Sequence, residues 1–232
     1  MKDMERQIIV TADGSDTVFV PGLNVSYHSK YGAIQESIHV FIEAGFKYWS
    51  NLNSEQQSKD QRIKIFEMGF GTGLNAFLTA IEAEEKGVKV YYETVEKFPL
   101  DKEEIDSLNY TSVLKNEELF RQIHECKWNA EVTVNDNFIL KKVRENLIHY
   151  STHYPFNITY FDAFAPSAQP ELWTEEIFRN LFSMLEPGGV LVTYCSKGDV
   201  RRAMKSAGLE VEKIPGPPGK REMLRARKVC SL

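Results

Sequence analysis

Residues 63–80 read IKIFEMGFGTGLNAFLTA, and this stretch decides the fold. A short apolar run from Ile63 to Met68 ends in glycines spaced G-x-G-x-G, at Gly69, Gly71 and Gly73, and a run of helical spacing, LNAFLTAIEAEEKG, follows. Strand, glycine turn and helix in that order let a backbone come close to a ligand lying across the carboxyl edge of a sheet. The spacing departs from the dinucleotide fingerprint G-x-G-x-x-G, and no lysine stands where a P-loop needs G-K-[ST]. Glu67, two residues before the first glycine, would repel a pyrophosphate and suits a ligand with a cationic aminoacyl end. Asn75 sits where the loop becomes helix.

Outward from this loop the signals alternate. VKVYYETV (88–95), EVTVN (131–135), NITYFD (157–162), GVLVTYC (189–195) and LEVEKI (209–214) read as strands, with helical segments between most of them, NFILKKVREN among these. Such alternation predicts a Rossmann-like α/β domain, a mainly parallel sheet with helices on both faces and right-handed crossovers. Upstream, IIVTADGSDTVFV (8–20) reads as a hairpin around a DGSD turn and ESIHVFIEAGFKYW (36–49) as a helix. Residues 1–60 are therefore expected to form a small hairpin-and-helix extension packed on a domain spanning 61–232. The polar stretch SNLNSEQQSKDQR (50–62) reads as a surface loop or a short solvated helix.

The strand ends supply the candidate chemistry. Glu96 closes the second strand of the domain, where a carboxylate accepts hydrogen bonds from both hydroxyls of a ribose. Asp136 follows the third strand, placed either to accept from an adenine amine or to cap a helix behind it. The fourth strand delivers Asp162, within YFDAFAP (160–166), to the same edge. A carboxylate there can orient an amine and take up its proton. Phe164 and Pro166 would wall the pocket, and Phe164 or Trp173 could stack on a base. The plainer alternative is that Asp162 caps a loop and the aromatics pack.

Bulk properties narrow the class. With 232 residues, 42% hydrophobic and 26% charged, the chain suits one catalytic domain of an ordinary soluble protein and holds no membrane-spanning run. The N-terminus lacks a signal-peptide pattern, so a cytoplasmic location is expected. The three cysteines and five histidines show no metal-site spacing, and no metal is expected. A net charge of −5 argues against nonspecific coating of nucleic acid. The positive residues nonetheless gather late in the chain, notably Arg201, Arg202, Lys205, Lys220 and Arg221. A solvated basic helix face is the ordinary explanation of such a cluster.

The glycine loop with Glu67 resembles motif I of class I methyltransferases, whose ligand is S-adenosylmethionine and whose sheet has seven strands. More specifically, EMGFGTGLNAF, YFDAFAPSAQPELWTEEIF, LEPGGVLVTYCSKGDVRRAMKSAGLEVEK and GKREMLRA, with YHSKYGAIQESIHVFI nearer the start, resemble the methyltransferase half of bacterial MnmC-type enzymes. That resemblance implies S-adenosylmethionine bound by Gly69, Gly71, Gly73 and Glu96, and Asp162 as the catalytic aspartate. The acceptor it implies is the primary amine of 5-aminomethyluridine, usually 2-thiolated, at the wobble position of tRNA. Glu67, Asn75 and Asp136 are the further cofactor candidates. Phe164, Pro166, Trp173, Arg201, Arg202, Lys220 and Arg221 are the candidates for contact with the anticodon region. Bifunctional members continue into an FAD-dependent oxidase. This sequence shows no second dinucleotide fingerprint, so the expectation is a stand-alone methyltransferase without FAD, coupled to a separate oxidase or to enzymes that install aminomethyl groups. The competing readings are an aminopropyltransferase, a small-molecule amine methyltransferase and a non-catalytic binding module.

Overall fold

The structure, a computed structural model, describes residues 5–54 and 61–229. β1 (Gln7–Val10) and β2 (Asp16–Val20) pair antiparallel as the expected hairpin, and β3 (Val25–Ser26) adds to it. The chain then enters a continuous helical run: α1 (Ala33–Ser37), a π-helical stretch Ile38–Lys47, and α2 (Tyr48–Leu52). Val40, Phe41, Phe46 and Trp49 of this run are buried in one cluster with Ile65 and Phe77 of the central unit. Burial of such side chains stabilises by about 1.5–3 kcal/mol each, which fixes the extension on the sheet. Of the polar stretch 50–62, residues 55–60 lie outside the described residues.

β4 (Ile63–Met68), α3 (Leu74–Lys86) and β5 (Val90–Val95) form the βαβ unit read from the glycine loop. Three short helices follow: α4 (Lys102–Asp106), α5 (Tyr110–Leu114) and α6 (Glu117–Glu125). The remaining elements are β6 (Glu131–Asn135), β7 (Phe138–Val143), β8 (Phe156–Phe161), α7 (Glu175–Met184), β9 (Leu185–Thr193), α8 (Gly198–Ser206), β10 (Glu210–Pro215) and β11 (Glu222–Arg227).

The main sheet has eight strands in the order β10-β11-β9-β8-β4-β5-β7-β6. The run from β9 to β7 is parallel throughout, whereas β11 and β6 run against their neighbours. The sheet is thus mainly parallel, as expected, with one strand more than the seven implied. Two strands, β7 and β11, lie beyond the six runs read from the sequence, and β7 arises where that reading placed a helix. NFILKKVREN is not helical: it supplies β7, which forms a hairpin with β6. Phe138, Leu140 and Lys142 point inward at a period of two. Lys142 hides that period because a cation takes an apolar place. Its ammonium donates to the carbonyls of Ile123 and His124 at the end of α6, at 3.0 and 2.7 Å, and lies over the rings of Phe70 and Trp128. Burial pulls this lysine down to about 8.

The order reverses at β4. From there the chain builds outward through β5 to β7, then returns to place β8 on the other side of β4. A crevice opens at such a switch point, outside the carboxyl ends of the strands. Among the described residues no helix is long and apolar enough to cross a membrane.

Candidate active site

The carboxyl ends of β4, β5, β7 and β8 surround one cavity, lined by the glycine loop, Glu96, Asn146, Leu147, Asp162 and Phe164. Backbone bonds stitch these ends together. The Gly69 amide donates to the Val95 carbonyl at 3.0 Å, the Glu96 amide to Val143 at 2.9 Å, and the Asp162 amide to Met68 at 3.2 Å. Gly69 has φ 90°, and a Cβ there would stand 3.1 Å from the Asp162 carbonyl, so the loop can pass the carboxyl end of β8 this closely only as glycine. Gly71 has φ 50°, and a Cβ there would press on the Tyr27 ring at 3.1 Å.

Glu96 points back at the loop. One carboxylate oxygen accepts from the Gly71 amide at 3.2 Å and the other from the Phe98 amide at 2.7 Å. Each oxygen keeps a further lone pair, which leaves the carboxylate fixed in orientation and still able to accept from a ribose. Asn75 projects from the first turn of α3. Its amide nitrogen donates to Glu67 Oε1 at 3.0 Å and to Asp162 Oδ2 at 2.9 Å, and its Oδ1 is buried without a partner. Glu67 is fully buried and does not line the cavity; it acts through Asn75. Burial, and then the charge of Asp162, hold its carboxyl well above the usual range.

Asp162 is half-buried at the cavity wall. Burial first, and then the neighbouring charge of Glu36, push it up to about 7, against the Asn75 hydrogen bond and the charge of Lys220. A carboxyl held near neutrality can both take and release a proton at neutral pH. The open backbone cradle, the oriented Glu96 and the unpartnered Asn75 oxygen fit a ligand with a ribose and a polar aminoacyl end.

Several expected residues stand elsewhere. Asp136 lies in the turn between β6 and β7, at the end of the sheet opposite the glycine loop, because Asn137 abuts Val90 at the start of β5. It cannot reach the cavity. The place it was expected to fill falls to Glu145, Asn146 and Leu147, beyond the carboxyl end of β7. Trp173 is buried against Phe161, Phe178 and Tyr194, and its indole N–H donates to the Phe164 carbonyl at 2.8 Å, so it braces the loop and is not free to stack on a base. Phe164 does line the cavity, edge-on to Tyr27 at 5.1 Å, whereas Pro166 is not among the lining residues. Arg202 is exposed and paired with Asp199, and Arg201 is half-buried on α8. Lys220 is held by Glu36 at 2.7 Å and is not available to a phosphate; Arg221 is exposed beside it.

The N-terminal extension contributes more than the sequence reading assigned to it. Arg6, Tyr27 and His28 all line the cavity. His28 is buried, its Nε2 lies 2.8 Å from the Thr72 hydroxyl inside the glycine loop, and burial lowers it to about 4, which keeps the ring neutral. No local motif marks these residues; Tyr27 and His28 appear only as part of YHSKYGAIQESIHVFI, and Arg6 lies outside every run singled out in the sequence.

A mainly parallel sheet with a glycine loop at its switch point, an acid closing the next strand and an aspartate on the opposite strand defines a Rossmann-like S-adenosylmethionine-dependent methyltransferase. Residues 101–229, more than half of the chain, match the family described as S-adenosyl-L-methionine-dependent methyltransferase. The chain belongs to that family. The tRNA 5-methylaminomethyl-2-thiouridine biosynthesis bifunctional protein MnmC of Actinobacillus pleuropneumoniae is 28% identical over 223 residues, covering 87% of this chain and 32% of that protein. The protein of the same name from Pseudomonas fluorescens is 31% identical over 215 residues, covering 86% and 31%. The chain thus spans about a third of the length of these curated relatives. The crystal structure of MNMC2 from Aquifex aeolicus aligns with a TM-score of 0.76 at 24% identity, over 97% of this chain and 70% of that one, a likeness of fold.

Proposed function

We propose that the chain methylates the primary amine of a 5-aminomethyl group on uridine, 2-thiolated or not, at the wobble position of tRNA. The observation that carries this reading is the carboxyl of Asp162, at the cavity wall beside the glycine loop, tuned near neutrality and aimed by Asn75. The names of the curated relatives supply the substrate class.

When bound, S-adenosylmethionine supplies a methyl carbon on a sulfonium sulfur that departs with the bonding pair. Glu96 would accept from its ribose hydroxyls, and Asn75 and Glu145 to Leu147 would meet its two ends. Asp162 has the remaining task. An alkyl amine, with a pKa near the lysine value of about 10, arrives mostly protonated and has no lone pair to offer. Asp162 binds that ammonium, accepts its proton directly or through water, and holds the nitrogen for attack. Aminopropyl transfer to a polyamine would want several free carboxylates around the acceptor. Here Glu36 is taken by Lys220 and the Ser29 amide, and Glu67 stands behind Asn75, which favours a single amine.

The test is incubation with labelled methyl donor and bulk tRNA from cells lacking the modification, followed by nucleoside analysis. Label in 5-methylaminomethyluridine or its 2-thio form is expected, and Asp162→Ala should lose most turnover while still binding donor. Label appearing only in a polyamine or a free small amine, or full turnover by the variant, would reject the reading.

A further inference from the structure

Lys220 is pinned in a way that a surface RNA contact does not require. Its ammonium donates to Glu36 Oε1 at 2.7 Å and lies 3.9 Å from the centre of the Tyr194 ring. The other Glu36 oxygen accepts from the Ser29 amide at 2.7 Å, so the carboxylate that holds the lysine is itself fixed. The Tyr194 hydroxyl donates to the carbonyl of Ala163, the residue after Asp162, at 2.8 Å. A lysine from the β10–β11 loop is thereby locked beside the catalytic strand end by a carboxylate from α1. The pair is largely withdrawn from solvent, with side-chain exposures of 33% for Lys220 and 8% for Glu36.

We propose that Lys220, held by Glu36 and Tyr194, is a positioning residue that keeps Asp162 ionised as the acceptor ammonium arrives, so that the carboxylate is free to take its proton before the methyl group is transferred. This rests on the amine-methylation reading above. A fixed positive charge favours a carboxylate beside it and loosens the proton of an ammonium brought next to it; that proton passes to Asp162, directly or through water, and leaves the nitrogen its lone pair. The polar and charged groups around Asp162 are Asn75 from α3, Glu67 on β4 and Tyr92 on β5 behind it, Glu36 from α1, Tyr194 after β9, and Lys220. Lys220 is the cation in that set. Glu36 raises Asp162 while Lys220 lowers it, so neutralising the lysine leaves the raising influences opposed by the Asn75 hydrogen bond alone.

Two measurements on the full chain test this. The first is the pH dependence of kcat with aminomethyl-bearing tRNA for the wild type, Lys220→Met and Lys220→Arg. The second is a ¹³C-carboxyl titration of Asp162 in the same proteins without acceptor. Lys220→Met should move both the acid limb and the carboxyl midpoint upward by about one pH unit. Lys220→Arg should return both close to wild type, with donor Kd the same in all three. An unmoved midpoint, or a rate reduced by one factor at every pH, would make the lysine merely structural and overturn the proposal. Absence of amine methylation by the wild type would sink the substrate reading instead, and the titration would still decide whether Lys220 governs Asp162.

Discussion

At the scale of single residues, Asp162 shows reactivity set against stability. Burial and Glu36 raise its carboxyl from 3.8 to about 7, so the folded chain keeps a proton there that the unfolded chain releases near pH 4. With a raised folded value, the stabilising contribution is complete below about pH 4 and is lost as pH climbs through about 7. Asp162→Asn cannot ionise and escapes that loss. Its stability relative to wild type should therefore rise by about 2 kcal/mol between pH 5 and pH 8, a figure discounted for partial exposure. Denaturant unfolding at the two pH values measures this, and an identical difference at both would mean that the carboxyl is not destabilised by its surroundings. Much of this site was legible from the chain alone. Gly69, Gly71, Glu96, Asp162 and Phe164 line one cavity because each stands in or just beyond a strand end that periodicity reveals, whereas Gly73 faces His124 and Phe70 behind it. Trp173 was misread because an aromatic beside a catalytic loop looks the same in sequence whether it faces solvent or core; its place became plain only with α7 packed on the sheet.

At the scale of elements, one misread strand displaced one site residue. β7 carries Lys142 where an apolar side chain would have revealed the period of two, and the run FILKKV then passes for a helix. The error matters because a strand reverses which end meets the ligand. With β7 parallel to β5, its carboxyl end and Asn146 join the cavity, and Asp136 moves to the far edge. Asp136→Ala is therefore expected to leave donor affinity unchanged. Glu96→Ala should raise donor Kd about 10- to 100-fold, the loss of a charge-assisted hydrogen bond of about 1.5–3 kcal/mol. Calorimetric titration with S-adenosylmethionine separates the two; equal weakening by both would contradict the arrangement of β5 to β7 around the ligand. β11 escaped the sequence reading for a related reason. In EMLRAR only Met223, Leu224 and Ala226 are buried, and the arginines between them mask an antiparallel strand wedged between β9 and β10.

At the scale of the whole molecule, the two ends of the chain meet over the carboxyl edge of the sheet. Glu36 and His39 of the extension hold Lys220 and the Pro215 carbonyl of the β10–β11 loop, the Tyr31 ring lies against Gly219, and Arg225 stacks 3.3 Å over Tyr48. No contiguous stretch of sequence encodes that closure, which depends on residues almost two hundred positions apart. It also sorts the late basic residues. Lys213, Lys220 and Arg225 are spent on Glu222, Glu36 and Glu212, and Lys228 donates to the carbonyls of Phe182 and Leu185. Among the described late basic residues, Lys197, Arg201, Lys205, Arg221 and Arg227 have no ion-pair partner. Of these, Lys197, Arg201 and Arg221 belong to the segments that leave β9 and enter β11 at the edge where the cavity opens, since Leu224 is paired with Thr193 near the end of β9. On the proposed reading, these three are the unpaired cations placed at that edge to meet an RNA backbone. Replacing all three with glutamine should leave donor Kd unchanged while lowering the slope of log affinity for tRNA against log salt by about two to three, one counterion per lost phosphate contact. Filter-binding titrations between low and moderate salt measure the slope. If it does not move, the RNA must approach across another face, and the positive residues at this edge serve the fold alone.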